Sequence, residues 1–249
     1  MLQVANRTLT QMMSYLIDTP DGEVIMIDGG NCCREDAENL YSLLTQRGKR
    51  IGLWVITHAH SDHLGALLWL MENLETFDLK IEAICFNFPD WEWLSRKEES
   101  SINSRFLEQI LRHQIPVTVP KPGDKISCGG MEMEIVSVPE DYREYPNINS
   151  TSMICVAHFP KQDVLFLGDF DVHGQAEFLR KYDPALIRKD IVQMAHHGHV
   201  GVHKDVYEAI DPNVCIWCAA SWLWQEHAGA RYLGSGVCVT ETRRWMAEI

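Results

Sequence analysis

The segment Thr57-His58-Ala59-His60-Ser61-Asp62-His63 places three imidazoles and a carboxylate within six consecutive positions, His58 to His63. Imidazole nitrogen and carboxylate oxygen together suit a divalent zinc, manganese or iron ion. The chemistry expected of such a site is metal-assisted hydrolysis, in which a metal-bound hydroxide forms near neutral pH and the metal polarises the bond under attack. His58 and His60, two residues apart, face the same way along an extended chain. Asp62 and His63 are adjacent and point elsewhere, toward a second metal. A helix N-cap at Asp62 flanked by surface histidines is the plainer reading, and so dense a run of ligand-type residues speaks against it.

Three further segments put such residues directly after apolar runs: Leu165-Phe166-Leu167-Gly168-Asp169, Met194-Ala195-His196-His197-Gly198, and Asp28-Gly29-Gly30. Asp169 is placed to bridge two metals, His196 to bind one, and Asp28 to orient a ligand histidine from behind. Side chains at the carboxyl ends of sheet strands meet in a crevice, so the chain must bring four strand ends together.

The surrounding pattern supplies those strands. Apolar runs at 12–17 and 24–27, separated by Asp18-Thr19-Pro20-Asp21-Gly22, read as a β-hairpin. A helix at 35–46 precedes a buried strand at 51–56, then come a helix at 64–74, a strand at 81–86 and a helix at 101–113 opened by serines. Short strands fill 117–138, and a second hairpin pairs 152–159 with 164–167. A helix at 174–182, a strand at 191–195, a helical turn at 206–210, strands at 214–219 and 237–239, and a helix at 242–248 complete the reading. Mixed strand and helix in each half predicts two packed sheets flanked by helices, in one domain spanning 1–249.

The order Asp28-Gly29-Gly30, His58-x-His60-x-Asp62-His63, Gly168-Asp169 and His196 resembles the metallo-β-lactamase superfamily over most of the chain. That resemblance implies an α/β fold, the αββα four-layer sandwich, with one or two divalent metals in the cleft between sheet ends. Zinc or manganese is expected and iron is disfavoured. By position, His58 and His60 would bind the first metal, Asp62, His63 and His196 the second, and Asp169 would bridge.

The superfamily usually supplies a third histidine for the first metal about 20 residues before the bridging aspartate, where this chain has Asn149-Ser150-Thr151-Ser152. The one histidine in that interval, His158, falls inside a predicted strand. Asn149 and Ser152 instead offer a carbonyl and a hydroxyl oxygen to metal or substrate, a harder donor set that shifts preference toward manganese. Asn149-x-x-Ser152 with His196-His197-Gly198 resembles the branch containing the metallo-hydrolase domain of the competence DNA-uptake channel, and Asp211-Pro212-Asn213 and Glu226-His227 resemble it more loosely. The branch implies phosphoester or phosphodiester hydrolysis. In such a reaction Asp62 or Asp169 would steer the nucleophile's proton, and His197 or His227 would protonate the leaving group. Carboxylic ester, lactone, thioester and β-lactam substrates stay open, as does a non-catalytic module that binds metal or ligand. Di-iron reduction of oxygen or nitric oxide is disfavoured, because that related pattern has a carboxylate where His60 stands.

Composition narrows the partners. Across 249 residues, 22 basic and 35 acidic side chains leave a formal charge of −13, which opposes a long nucleic acid or an anionic membrane. A small-molecule or short phosphoester substrate is expected, and the oligomeric state is left open. The basic pairs Arg96-Lys97, Arg188-Lys189 and Arg243-Arg244 read as solvated surface, and the aromatic runs around Trp91 and Trp222 as pocket lips or packing rings. No secretory leader or membrane span is evident, so a cytoplasmic location with reduced thiols is expected. The spacing Cys215-x-x-Cys218 on a strand sends the two sulfurs to opposite faces.

Overall fold

The computed structural model describes residues 1–138, 145–199, 201–225 and 239–249. Its four layers follow from residue alternation in the strands. In Tyr15–Asp18, Tyr15 and Ile17 point into the space between two sheets while Leu16 points out toward helices. Val24–Ile27 repeats this with Ile25 and Ile27 inward, and Leu53–Val55 with Leu53 and Val55 inward. Asp163–Phe166 does so in the second sheet, where Val164 and Phe166 face inward and Leu165 outward. One side-chain set therefore fills the inter-sheet core, and the complementary sets seat helices on both outer faces.

Among the described residues each of the two packed sheets has six strands, and Arg50–Ile51 pairs with Lys80–Ile81 in a separate two-stranded sheet. In the first, Val24–Ile27 runs antiparallel to Tyr15–Asp18 and parallel to Leu53–Val55. In the second, Asp163–Phe166 runs antiparallel to Ile154–His158 and parallel to Ile191–Gln193. Helices Arg34–Thr45, Ser61–Glu72 and Ser100–His113 cover the first sheet, and Val172–Lys181, Lys204–Ile210 and Val239–Glu248 cover the second. The sandwich is the αββα arrangement expected of the sequence.

Three local expectations are corrected. The strand expected through 214–219 is only Val214–Ile216, and Val214 is half exposed because this strand is the last in its sheet among the described residues. Val239 opens a helix rather than closing a strand, and 237–238 lie outside the described residues. The helix Ser100–His113 is not capped by serine: its N-cap is Glu99, held at φ 59°, with no side-chain cap bond. Cys215 packs with the outer core and Cys218 with the inter-sheet core, so their sulfurs do diverge.

Candidate metal centre

Two parallel strand pairs, one from each sheet, end at the same place. Ile27 leads to Asp28, Val55 to Thr57 and His58, Phe166 to Asp169, and Gln193 to His196 and His197. Gly168 makes the approach of the second sheet possible: it sits at φ +57°, and a Cβ there would lie 2.9 Å from that of Thr57. The helix Ser61–Glu72 starts inside the histidine motif, so Asp62 and His63 project from its first turn while His58 and His60 precede it in extended chain.

The side chains form two groups that share Asp169. Asp62, His63, Asp169 and His197 offer ligand atoms mutually within 4.8 Å, and so do His58, His60 and Asp169. His63 Nε2 lies 3.1 Å from Asp169 Oδ1, His197 Nε2 3.1 Å from Asp62 Oδ2, and His58 Nε2 3.2 Å from His60 Nδ1. His196, expected in the second group, lies beside it: its Nε2 is 3.6 Å from Asp169 Oδ2, nearer than that of His58 at 3.9 Å, and the residue lines the cleft. His197 takes the inner place and is fully buried.

The rear of each ring sets its tautomer. Asp28 accepts from His63 Nδ1 at 2.7 Å, and the Cys218 carbonyl accepts from His197 Nδ1 at 3.2 Å. Carboxylates and carbonyls only accept, so the neutral form of each ring keeps its proton on Nδ1 and presents the Nε2 lone pair to the centre. Thr57 Oγ gives its proton to Asp28 at 2.8 Å and accepts from His58 Nδ1 at 3.1 Å, which frees His58 Nε2. His60 is turned the other way, with Nε2 donating to Glu98 at 3.3 Å and Nδ1 facing inward.

These donors fit a divalent cation. His63 Nε2 and Asp169 Oδ1 are buried and lie 3.1 Å apart, so a protonated His63 forms an ion pair with Asp169. A divalent cation would take the place of that proton between the same two atoms. The electrostatics agree. Burial alone would lower the His63 and His197 pKa values, yet Asp169 and its neighbouring carboxylates hold both well above the ordinary imidazole value. Burial alone would raise Asp62 and Asp169, and His63 with His197 holds both below the usual carboxylate range. His58, buried and beside His63, is pushed well down. This is a centre arranged around positive charge.

Asn149, in the turn Asn149–Thr151, lines the same cleft with its Oδ1 buried and without a hydrogen-bond partner. Ser152 is engaged: its Oγ accepts from the Asp169 backbone N–H at 3.2 Å. His158 lies elsewhere, bonded to Asp163 and Glu134 on the strands either side of its own. His227 falls outside the described residues.

Gln193 went unrecognised in the sequence. Fully buried, it accepts from the Leu167 and Gly168 N–H groups and donates to the Gly168 and Met194 carbonyls. One side chain thus ties the Asp169 loop to the His196–His197 loop. The tie matters because His196 and His197 sit at φ 48° and 57°, a conformation costing of order 1–3 kcal/mol per non-glycine residue. The signal was a lone amide in an otherwise apolar strand.

The cleft has a volume of about 360 Å³, and among the described residues no lysine, arginine, phenylalanine, tyrosine or tryptophan lines it. Asp62, Glu98 and Glu99 do. The basic pairs are engaged elsewhere: Arg96 with Glu92, Lys97 with the Pro146 carbonyl, Arg188 with Asp211, and Arg244 with Glu241. Phe86 and Phe88 pack against Phe106, and Trp224 against Trp217. No helix among the described residues is long and apolar enough to cross a membrane.

Among solved structures the chain is similar to the metallo-beta-lactamase fold protein YhfI from Bacillus subtilis, at 10% identity and TM-score 0.55, over 96% of this chain and 86% of that one. It is also similar to a mutant of the CmlA beta-hydroxylase, at 13% identity and TM-score 0.51, over 86% of this chain and 46% of that one. A diphosphatase from the PhnP family aligns at 17% identity and TM-score 0.47, over 82% of this chain and 74% of that one. At these identities the likeness is one of fold. No curated protein matches the sequence. The sequence profile of the metallo-beta-lactamase superfamily matches residues 7–211, and the chain belongs to that superfamily.

Proposed function

We propose that the chain is a metal-dependent hydrolase of a compact phosphoester or phosphodiester. The observation that carries this reading is the pair of ligand groups sharing Asp169. Bound there, a divalent cation, zinc or manganese, polarises the scissile bond and makes water acidic enough to attack near neutral pH. His58 and His60 would hold one side, with Asn149 Oδ1 as a third donor. Asp62, His63 and His197 would hold the other, and Asp169 would serve both. Asp28 keeps the His63 proton on Nδ1, and Asp62 accepts the proton of the attacking water. His196 lines the cleft beside Asp169, where it would meet the leaving group.

The phosphoester assignment is supported by the Asn149-x-x-Ser152 and His196-His197-Gly198 pattern, which resembles the competence-channel branch. A cleft without lysine or arginine among the described residues favours a small substrate whose charge the metals meet. The same observation favours a second reading, a neutral carboxylic ester, lactone or thioester.

The test is hydrolysis of 4-nitrophenyl phosphate, bis(4-nitrophenyl) phosphate, a lactone and a thioester with Mn²⁺ or Zn²⁺, with Asp169→Ala as control. Phosphoester turnover lost in the control supports the first reading, and turnover of the carbonyl substrates alone supports the second. Full metal loading with no turnover anywhere would make the protein a binding module.

A further inference from the structure

Glu98 and Glu99 each bond a residue of the histidine motif, and Lys97 before them anchors the same segment beside the Asn149 turn. Glu98 Oε1 lies 3.3 Å from His60 Nε2. Glu99 accepts from the Ser61 backbone N–H at 2.6 Å and from its hydroxyl at 2.7 Å. Lys97 Nζ donates to the Pro146 carbonyl at 2.9 Å, on the approach to the Asn149 turn. The left-handed conformation of Glu99, φ 59°, turns the chain from this segment into the helix Ser100–His113.

Two features of the centre give these contacts a consequence for metal binding. The helix Ser61–Glu72 has no side-chain cap of its own, since its N-cap residue is His60 and that ring makes no cap bond. Glu99 meets that need from across the cleft, and the first turn it secures carries Asp62 and His63. Second, the His58–His60 side is the one that lacks a third imidazole. His60 is also the most exposed ring of the two ligand groups, at 15%, against none for His58, His63 and His197. Packing therefore restrains it least, and a hydrogen bond from its outer nitrogen has the most to contribute.

We infer that Glu98 is a positioning residue for metal binding, acting through His60, and that Lys97 and Glu99 hold it in place as a clamp across the cleft. A carboxylate can only accept, so it fixes the proton on His60 Nε2 and leaves the Nδ1 lone pair facing His58 Nε2 and Asp169. Partners of this kind fix ligand geometry and ligand basicity together. Glu98 takes over the restraint that a third histidine would otherwise share. This inference rests on the metal-centre reading above.

The test is Zn²⁺ titration by calorimetry of the chelator-stripped full chain as wild type, Glu98→Ala, Glu98→Gln and, as control, Glu92→Ala, whose partner is the exposed Arg96. Melting temperatures are measured alongside. Glu98→Ala should weaken one binding event by about 10–100-fold, leaving any other event and the melting temperature close to wild type. Glu98→Gln, which still presents an accepting oxygen, should restore most of that loss, and Glu92→Ala should match wild type. Unchanged binding in Glu98→Ala overturns the inference, as does equal loss in both Glu98 variants. A wild-type chain that binds no metal overturns the metal centre itself, and this inference with it.

Discussion

Asp28 Oδ2 lies 2.7 Å from Nδ1 of His63, with both side chains fully buried. The same carboxylate accepts from the Thr57 N–H at 2.7 Å and the Thr57 hydroxyl at 2.8 Å. Three donors from one motif thus converge on one residue at the end of a neighbouring strand. They decide which nitrogen of His63 faces the metal centre, and through Thr57 which nitrogen of His58 does.

Asp28→Asn tests that control. An amide offers a single accepting oxygen and a donating nitrogen, so it cannot receive all three protons and favours the opposite His63 tautomer. Metal affinity should fall about 10–100-fold, measured by calorimetry. Wild-type affinity in this variant would show that Asp28 does not set the tautomer.

Gln193→Leu removes the tie between the Asp169 and His196–His197 loops while keeping an apolar side chain. The Leu167 and Gly168 N–H groups would be left buried without partners, at about 1–3 kcal/mol each. Urea unfolding should show a loss of about 3 kcal/mol or more, and metal affinity should drop because the left-handed His197 backbone is no longer held. A loss under 1 kcal/mol would mean that those N–H groups find other partners.

Stability should depend on pH in opposite senses with and without metal. His63 and His197 have folded pKa values above the ordinary 6.5, because Asp169 and its neighbours outweigh burial. Their contribution is complete below the unfolded value and is lost as pH rises through the folded one. His58 and His196 are lowered by burial, so they change the balance only below 6.5. Between pH 6.5 and about 8.5, below ordinary thiol ionisation, EDTA-treated protein should therefore melt at lower temperature as pH rises. With saturating Zn²⁺ the trend should reverse, because metal competes with protons for the same nitrogens. Parallel trends in the two conditions would contradict the shared-ligand arrangement.

The centre was legible in sequence where its residues are contiguous or directly follow an apolar strand. His58, His60, Asp62 and His63 declare themselves by spacing, and Asp28 and Asp169 by standing just past predicted strands. The all-apolar run Val24–Ile27 likewise marks a buried strand, although only its packing shows which side chains lie between the sheets. What was hidden depends on backbone angles or on distant partners. His196 and His197 are neighbours with the same side chain, and only two successive left-handed residues put His197 inside and His196 at the cleft. Glu98 and Glu99 look like ordinary surface acids, because their partners His60 and Ser61 lie 38 positions away. The strand expected through 219 ends at Ile216, since an apolar run does not reveal that its strand lies last in its sheet among the described residues.

The central claim is that Asp169 serves both ligand groups, so one substitution should empty both. The most direct measurement is the zinc-to-protein ratio after reconstitution and desalting, for wild type and Asp169→Ala, with circular dichroism confirming that both are folded. Zinc retained by the wild type and absent from Asp169→Ala is the predicted result. A folded Asp169→Ala protein that keeps the wild-type ratio would contradict the account.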